Sequence, residues 1–462
     1  MLKIDHNLKP SHLKSRIEKL WDLSADKIES IEKHFDVSKG APVFTIQGEY
    51  TSRGWTEWTQ GFQWGSAIIQ YEATEDKKFC EIGRQKTLQM MSRHITHFGV
   101  HDHGFNNVST YGNLLRLMNE NRIDEDEWER HYYKLALKCS SAVQAYRWTE
   151  LNVDEGFIYS FNGPHSLFAD TIRSLRIIAI GYRLGHFLMG ENEVKISLLN
   201  RLIKHAFTTA KYTIYYGEGR DSYDINGRVA HECIFNLKDG NFRCPNTQQG
   251  YSPFSTWTRG LAWIMCGYAE QLEFLETVKD QELTFFGGRD RVESVMRRAA
   301  QATCDFYINI VPTDGIPYWD TAAPFLYKLG DYLSEPANPY NDYEPVDSSA
   351  ATIAAQGLLR LGQYLKKKNE TDVGNKYWQA GLTILKTLFE EPYLSTENDH
   401  QGLILHSIYH RPKGWDYIPA GKKIPCGESS MWGDYHAREV ALYLQKIMQK
   451  EPYMVFWPRG DD

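Results

Sequence analysis

The chain has 462 residues, 42% hydrophobic and 24% charged, a composition that supports a large folded core. Its net charge of −7 argues against the basic surface that nucleic-acid binding needs, and it lacks the run of about 18 apolar residues that marks a membrane-spanning helix. Seven scattered cysteines without a CxxC pair predict reduced thiols. The opening "MLKIDHNLKPSHLKS" has no apolar signal-peptide core, so a cytoplasmic protein is expected, or a periplasmic one if a signal peptide has been removed.

In chain order, residues 1–45 read as an N-terminal helical extension on a single domain spanning 1–462. From Trp58, "WTQGFQWGSAIIQY" is an aromatic loop running straight into a helix that starts with small residues. The same arrangement recurs in "HDHGFNNVSTYGNLLRLM" from His101. Residues 124–148 then predict an amphipathic helix with acids in its first turn, where the helix dipole favours them. "GFIYSFNG" reads as a short hairpin or an irregular loop. "HSLFADTIRSLRIIAIGYRLG" from His165 repeats the loop-to-helix pattern, and residues 212–245 predict short hairpins or an irregular loop. "STWTRGLAWIMCGYAEQLEFL" from Ser255 is the next copy, followed by an amphipathic helix over 289–311. "VDSSAATIAAQGLLRLGQYL" from Val346 and "SSMWGDYHAREVALYLQKIM" from Ser429 complete six copies.

Six such units predict an all-α fold: six helical hairpins closed into an (α/α)6 barrel. Inner helices would be small and apolar enough to pack side by side, and the loops at their N-terminal ends would share one mouth. An open stack of the same hairpins is the alternative.

Two aspartates lie at starts of inner helices. Asp102 sits in "HDHGF" and Asp170 in "LFADTIRSL", beside Leu167, Phe168 and Ala169. Apolar neighbours and a second carboxylate both raise a carboxyl pKa, as a proton donor needs near neutrality. The alternative readings are helix N-caps, or for Asp170 a pair with Arg173 one turn on. The i, i+1, i+2 spacing of "HDH" is poor for a self-contained metal site, so neither metal nor cofactor is expected. GxSxG is absent, which gives serine catalysis no support. In "QQGYSPFSTWTRGLAW", Trp257, Arg259 and Trp263 can line a cleft, with Arg259 a fork for a carboxylate. Core packing of the two tryptophans and a capping arginine is the other reading. Aromatics at 13%, with 13 Trp and 28 Tyr, suit either sugar stacking or a large helical core.

Together these stretches resemble the unsaturated glucuronyl hydrolases of glycoside hydrolase family 88. "STWTRGLAW" resembles that family's Ser-x-Trp-(Ala/Ser)-Arg-Gly-Gln-Ala-Trp segment, and "HDHGF" its His-Asp-x-Gly-Phe. "WTQGF", "VDSSAATIAAQGLL" and "SSMWGDY" are similar to three further stretches, in family order from Trp58 to Tyr443. The resemblance implies an (α/α)6 barrel without cofactor. Its substrate would be an anionic oligosaccharide ending in a 4,5-unsaturated uronic acid, left by a polysaccharide lyase. The enzyme hydrates the C4=C5 vinyl ether instead of attacking the anomeric carbon. By resemblance Asp170 is the acid/base and Asp102 the second essential aspartate. Trp58, Phe62, His101, His231, Gln249, Trp257, Arg259 and Trp263 would line the sugar pocket. The loop around His231 departs from the family. So does Arg173, which stands where the family has Asn; a cation there would lower the Asp170 pKa or contact the substrate carboxylate. An unsaturated rhamnogalacturonyl hydrolase, a saturated glucuronidase, a sugar epimerase and a non-catalytic sugar-binding protein are the alternatives.

Overall fold

The structure, a computed structural model, describes residues 1–54, 57–454 and 456–457. Helix α1 (Lys14–His34) leads to a two-stranded hairpin, β1 (Phe44–Ile46) and β2 (Glu49–Thr51). Then come α2 (Gln60–Thr74), α3 (Lys77–Met90) and α4 (His103–Asn107), the last continuing through a π-helical turn (Val108–Gly112) into α5 (Asn113–Asn119). Helix α6 (Glu127–Tyr146) is followed by strands β3 (Trp148–Glu150), β4 (Gly156–Ile158) and β5 (Ser166–Phe168). Next are α7 (Thr171–Ser174), α8 (Arg176–Arg183), β6 (Leu188–Met189), β7 (Lys195–Ile196) and α9 (Leu198–Tyr212). Strands β8 (Glu232–Phe235) and β9 (Phe242–Asn246) precede α10 (Thr258–Leu275), α11 (Asp280–Leu283) and α12 (Arg289–Ile310). The chain closes with α13 (Ser348–Lys367), α14 (Thr371–Leu388) and α15 (Met431–Gln449).

The inner layer is a closed ring. Helix α2 packs on α4, α4 on α7, α7 on α10, α10 on α13, α13 on α15, and α15 again on α2. Each inner helix begins within one of the six loop-to-helix stretches read from the sequence. Every residue of α10 is buried, whereas outer α12 buries one face through Val292, Met296, Ala299 and Tyr307. After α15 the described chain has no room for a sixth return helix. Helix α1 fills that place, packed on α2 and α15.

The inner helices meet closely because glycine stands at their contacts. A Cβ on Gly61 of α2 would lie 2.3 Å from the Asn106 Cα, and one on Gly357 of α13 2.8 Å from the Cys266 amide nitrogen. This explains the small residues that open the copies. The strands other than the β6–β7 hairpin, which joins the far end of α8 to α9, lie on the side of the mouth. β5, β8 and β9 form an antiparallel sheet pairing Leu167 with Cys233 and Phe168 with Glu232. β1 is pinned to the start of α15 by the Thr45 amide donating to the Ser429 carbonyl at 2.9 Å. No described helix is long and apolar enough to cross a membrane.

Candidate active site

Asp102 and Asp170 each hold the residue position just before an inner helix, α4 and α7, yet neither carboxylate caps its helix. Asp170 also does not pair with Arg173. Both carboxylates are therefore available to the mouth. One histidine joins them: His101 Nε2 lies 3.1 Å from Asp170 Oδ2 and 3.6 Å from Asp102 Oδ1. A second histidine approaches from the sheet. The Ala169 amide donates to the His231 carbonyl at 2.8 Å, continuing the β5–β8 register. That register sets His231 Nε2 at 3.8 Å from Asp170 Oδ1. His231 Nδ1 accepts from the Gln248 amide at 3.0 Å, so in the neutral ring the proton sits on Nε2, facing Asp170. Asp170 Oδ1 and His231 Nε2 are both buried and lack a hydrogen-bond partner.

The electrostatics separate the two acids. Burial pushes His101 down, but Asp102 and Asp170 beside it outweigh that and raise it, favouring the imidazolium. Burial also drives Asp102 up, and the Asp170 charge adds to this against the pull of His101, leaving it at about 6. For Asp170 burial acts upward too, but the His101 charge and hydrogen bond hold it below the ordinary carboxylate value. This corrects the expectation of a raised Asp170: the shorter contact to His101 ionises Asp170, and below about pH 6 the proton of the pair stays on Asp102. His231, desolvated, drops to about 4 and is neutral. His101, Asp102 and Asp170 each offer one ligand atom, all within 4.8 Å of one another, and are the described set that could hold a cation. His103 points away, with Nε2 at 2.7 Å from Ser140 Oγ on α6.

Aromatic side chains wall this cluster. Trp58, Phe105, Phe161, Phe168, Trp257 and Trp263 line the cleft together with His101, Asp102, Asp170, Gln249 and Arg259. Phe62 is fully buried behind them, edge-on to Trp58 with ring centroids 6.0 Å apart, so it supports the lining without joining it. His231 lies beneath the cleft, against Phe168 and Trp257.

Two arginines depart from expectation. Arg173 is wholly buried and points to the barrel axis, 3.1 Å from Glu270 and 3.1 Å from Glu439. It is no pocket residue, because two buried carboxylates on α10 and α15 draw its charge inward. Arg259 does line the cleft, but its fork is spent. Nη1 donates to Asp347 at 2.7 Å and to the Ile408 carbonyl; Nη2 donates to Gln249 at 3.0 Å and to the Tyr409 carbonyl at 2.7 Å. It is sandwiched by Trp257 and Trp432, 4.6 and 4.9 Å from their centroids. Arg259 thus fixes Gln249 and the far wall of the cleft. That wall, Tyr409, His410, Lys413 and Trp415, was missed from sequence. Its signal was there in the dense "YHRPKGW" ahead of the sixth copy.

No family model matches the sequence. It is 27% identical over 396 residues to an unsaturated glucuronyl hydrolase of Bacillus sp. strain GL1, covering 85% of this chain and 87% of that one. It is 24% identical over 396 residues to an unsaturated glucuronyl hydrolase of Formosa agariphila, covering 85% and 81%. The crystal structure of the Bacillus sp. GL1 enzyme, described as responsible for the degradation of glycosaminoglycan, superimposes with a TM-score of 0.67 at 21% identity, over 92% of this chain and 95% of that one. The chain resembles the unsaturated glucuronyl hydrolases. The fold is the (α/α)6 barrel of these proteins.

Proposed function

We propose that this protein is a glycoside hydrolase that removes a 4,5-unsaturated uronic acid from the non-reducing end of lyase-generated oligosaccharides. The observation that carries the reading is the His101-bridged carboxylate pair, one member protonated up to about pH 6 and the other ionised, at the bottom of an aromatic cleft. The likeness to the unsaturated glucuronyl hydrolases supports it across most of the chain.

The reaction needs a proton at C4 and a water oxygen at C5. Below about pH 6, His101 and Asp102 hold the two protons of the cluster. Transfer of the Nε2 proton across 3.1 Å turns Asp170 into the acid, and Asp102 reprotonates His101. The negative uronate carboxylate entering the cleft favours this step by raising the pKa of Asp170. Asp170 then protonates C4, and charge develops on the ring oxygen and C5. Water adds at C5 and loses its proton to the newly freed Asp170 carboxylate. Asp170 Oδ1 and His231 Nε2, 3.8 Å apart, can both hydrogen-bond to this water from one side. The resulting hemiketal opens by cleaving the bond between C5 and the ring oxygen. The aldehyde forms at C1 as the sugar leaves with a proton, giving a keto uronate. Trp58, Trp257 and Trp263 offer faces for the sugar ring, and the Gln249 amide NH2 is free to donate because Arg259 holds its oxygen.

The test follows the loss of ultraviolet absorbance of the conjugated uronate in lyase-digested oligosaccharides, with keto acid identified in the product. Asp170→Asn is expected to lower turnover by about 10²–10⁴ with the fold intact. Full turnover in that variant, or a product without a keto group, overturns the reading.

A further inference from the structure

Among the described residues, the exposed aromatic side chains are unevenly placed. Apart from Trp128 and Phe285 they lie on the mouth side of the barrel, where outer helices hand over to inner ones. The segment between α12 and α13 carries the densest group. Phe325 and Tyr343 are exposed, and the Lys328 ammonium sits over both, 5.0 and 5.5 Å from their centroids. Nearby, exposed Tyr340 has the Lys422 ammonium at 5.4 Å. Exposed apolar rings gain nothing in water, and this group is not needed to close the core.

The group is held firmly and is continuous with the cleft. Glu344, itself buried, accepts from the Phe325 amide and the Trp319 indole, each at 2.8 Å. On one side Asp320 accepts from the Tyr251 amide at 2.9 Å, two residues from cleft-lining Gln249. On the other side Lys423 pairs with Asp342 at 3.0 Å, tying in the segment that follows cleft-lining Trp415. The segment that carries the patch meets the cleft at both ends, where Asp320 bridges to Trp257 and Asp347 accepts from Arg259.

We infer that this patch is a second saccharide site, which holds the reducing-end portion of an anionic oligosaccharide longer than a disaccharide while its unsaturated end occupies the cleft. The inference rests on the proposed hydrolase reading and adds chain length to it. The chemistry matches on two counts. A ring face packs on the C–H face of a sugar. An ammonium poised over that ring meets the carboxylate or sulfate that an anionic chain repeats along its length. The occupant is the continuation of the substrate because the segment that carries the patch meets the cleft that holds the substrate's first residue.

The experiment measures equilibrium binding by calorimetry in the Asp170→Asn background, where turnover does not consume the probe. The probes are unsaturated di-, tetra- and hexasaccharides from lyase digests of several uronate-containing polysaccharides. For at least one parent the hexasaccharide is expected to bind about tenfold tighter than the disaccharide. Phe325→Ala/Tyr343→Ala and, separately, Lys328→Ala are expected to erase that preference and leave disaccharide affinity unchanged. Equal affinity for all lengths from every parent, or a length preference that survives both variants, overturns the inference. Failure of the hydrolase reading shows up separately, as wild-type protein that leaves the unsaturated disaccharide unchanged.

Discussion

Arg173 follows Asp170 by one helical turn, yet its guanidinium ends 3.1 Å from Glu439 at the barrel axis and has no exposure to the mouth. Arg176 reaches the same carboxylate at 2.9 Å, and Gln356 donates to it at 3.0 Å. Helices α7, α8, α13 and α15 are thus joined through one buried anion directly beneath the catalytic mouth. Burial works against the Glu439 charge, but the two arginines overcome it and hold the carboxyl far below its usual range.

Removing Arg173 leaves Glu270 and Glu439 undercompensated in the interior. Arg173→Met is expected to destabilise the fold by on the order of 3 kcal/mol, as when one partner of a buried pair is lost. Urea denaturation measures this. Unchanged stability would mean that the ion cluster contributes nothing net.

The two aspartates give opposite pH signatures. Asp102 in the folded state titrates at about 6, above the unfolded value of about 3.9. Its stabilising contribution is full below the unfolded pKa and is lost as pH rises through about 6. Asp102→Asn is therefore expected to melt higher than wild type at pH 8, with the gap closed at pH 4. Asp170 is depressed, so its contribution is present above the unfolded pKa and lost as pH falls. Asp170→Asn should melt lower than wild type at pH 8. Melting curves at the two pH values decide it; shifts of the same sign for both variants contradict the assignment of charge.

Arg259 acts on the cleft through the groups it holds. Arg259→Lys keeps the charge but cannot reach Asp347, Gln249 and two carbonyls at once. KM for the unsaturated disaccharide is expected to rise about tenfold or more, with kcat changed less. A fall confined to kcat would place Arg259 at the reacting atoms instead.

Gly61 stands where α2 crosses the start of α4, and its amide donates to Asn106 Oδ1 at 2.7 Å. A methyl there meets backbone, which cannot rotate away. Gly61→Ala is expected to cost about 1–3 kcal/mol, and to lower turnover as well by shifting Trp58 relative to Asp102. A variant with wild-type stability would show that this seam has slack.

The sequence by itself marked the six inner helices, and the packing of α15 back onto α2 closed them into a ring. Small residues recur at six helix starts, and amphipathic helices return between them, because neighbouring inner helices need close contact and outer helices need one dry face. It also marked Asp102, Asp170, Trp257 and Trp263, whose motifs stand beside those helix starts. Tertiary structure decided the rest, because charge state and direction depend on partners distant in the chain. Arg173 turns inward because Glu439, 266 residues away, waits at the axis. Arg259 is spent because Asp347 and the 408–409 backbone reach it first. "LFADTIRSL" supplied apolar neighbours that push a carboxyl upward. What holds Asp170 ionised is His101, 69 residues earlier, which the fold sets 3.1 Å from it.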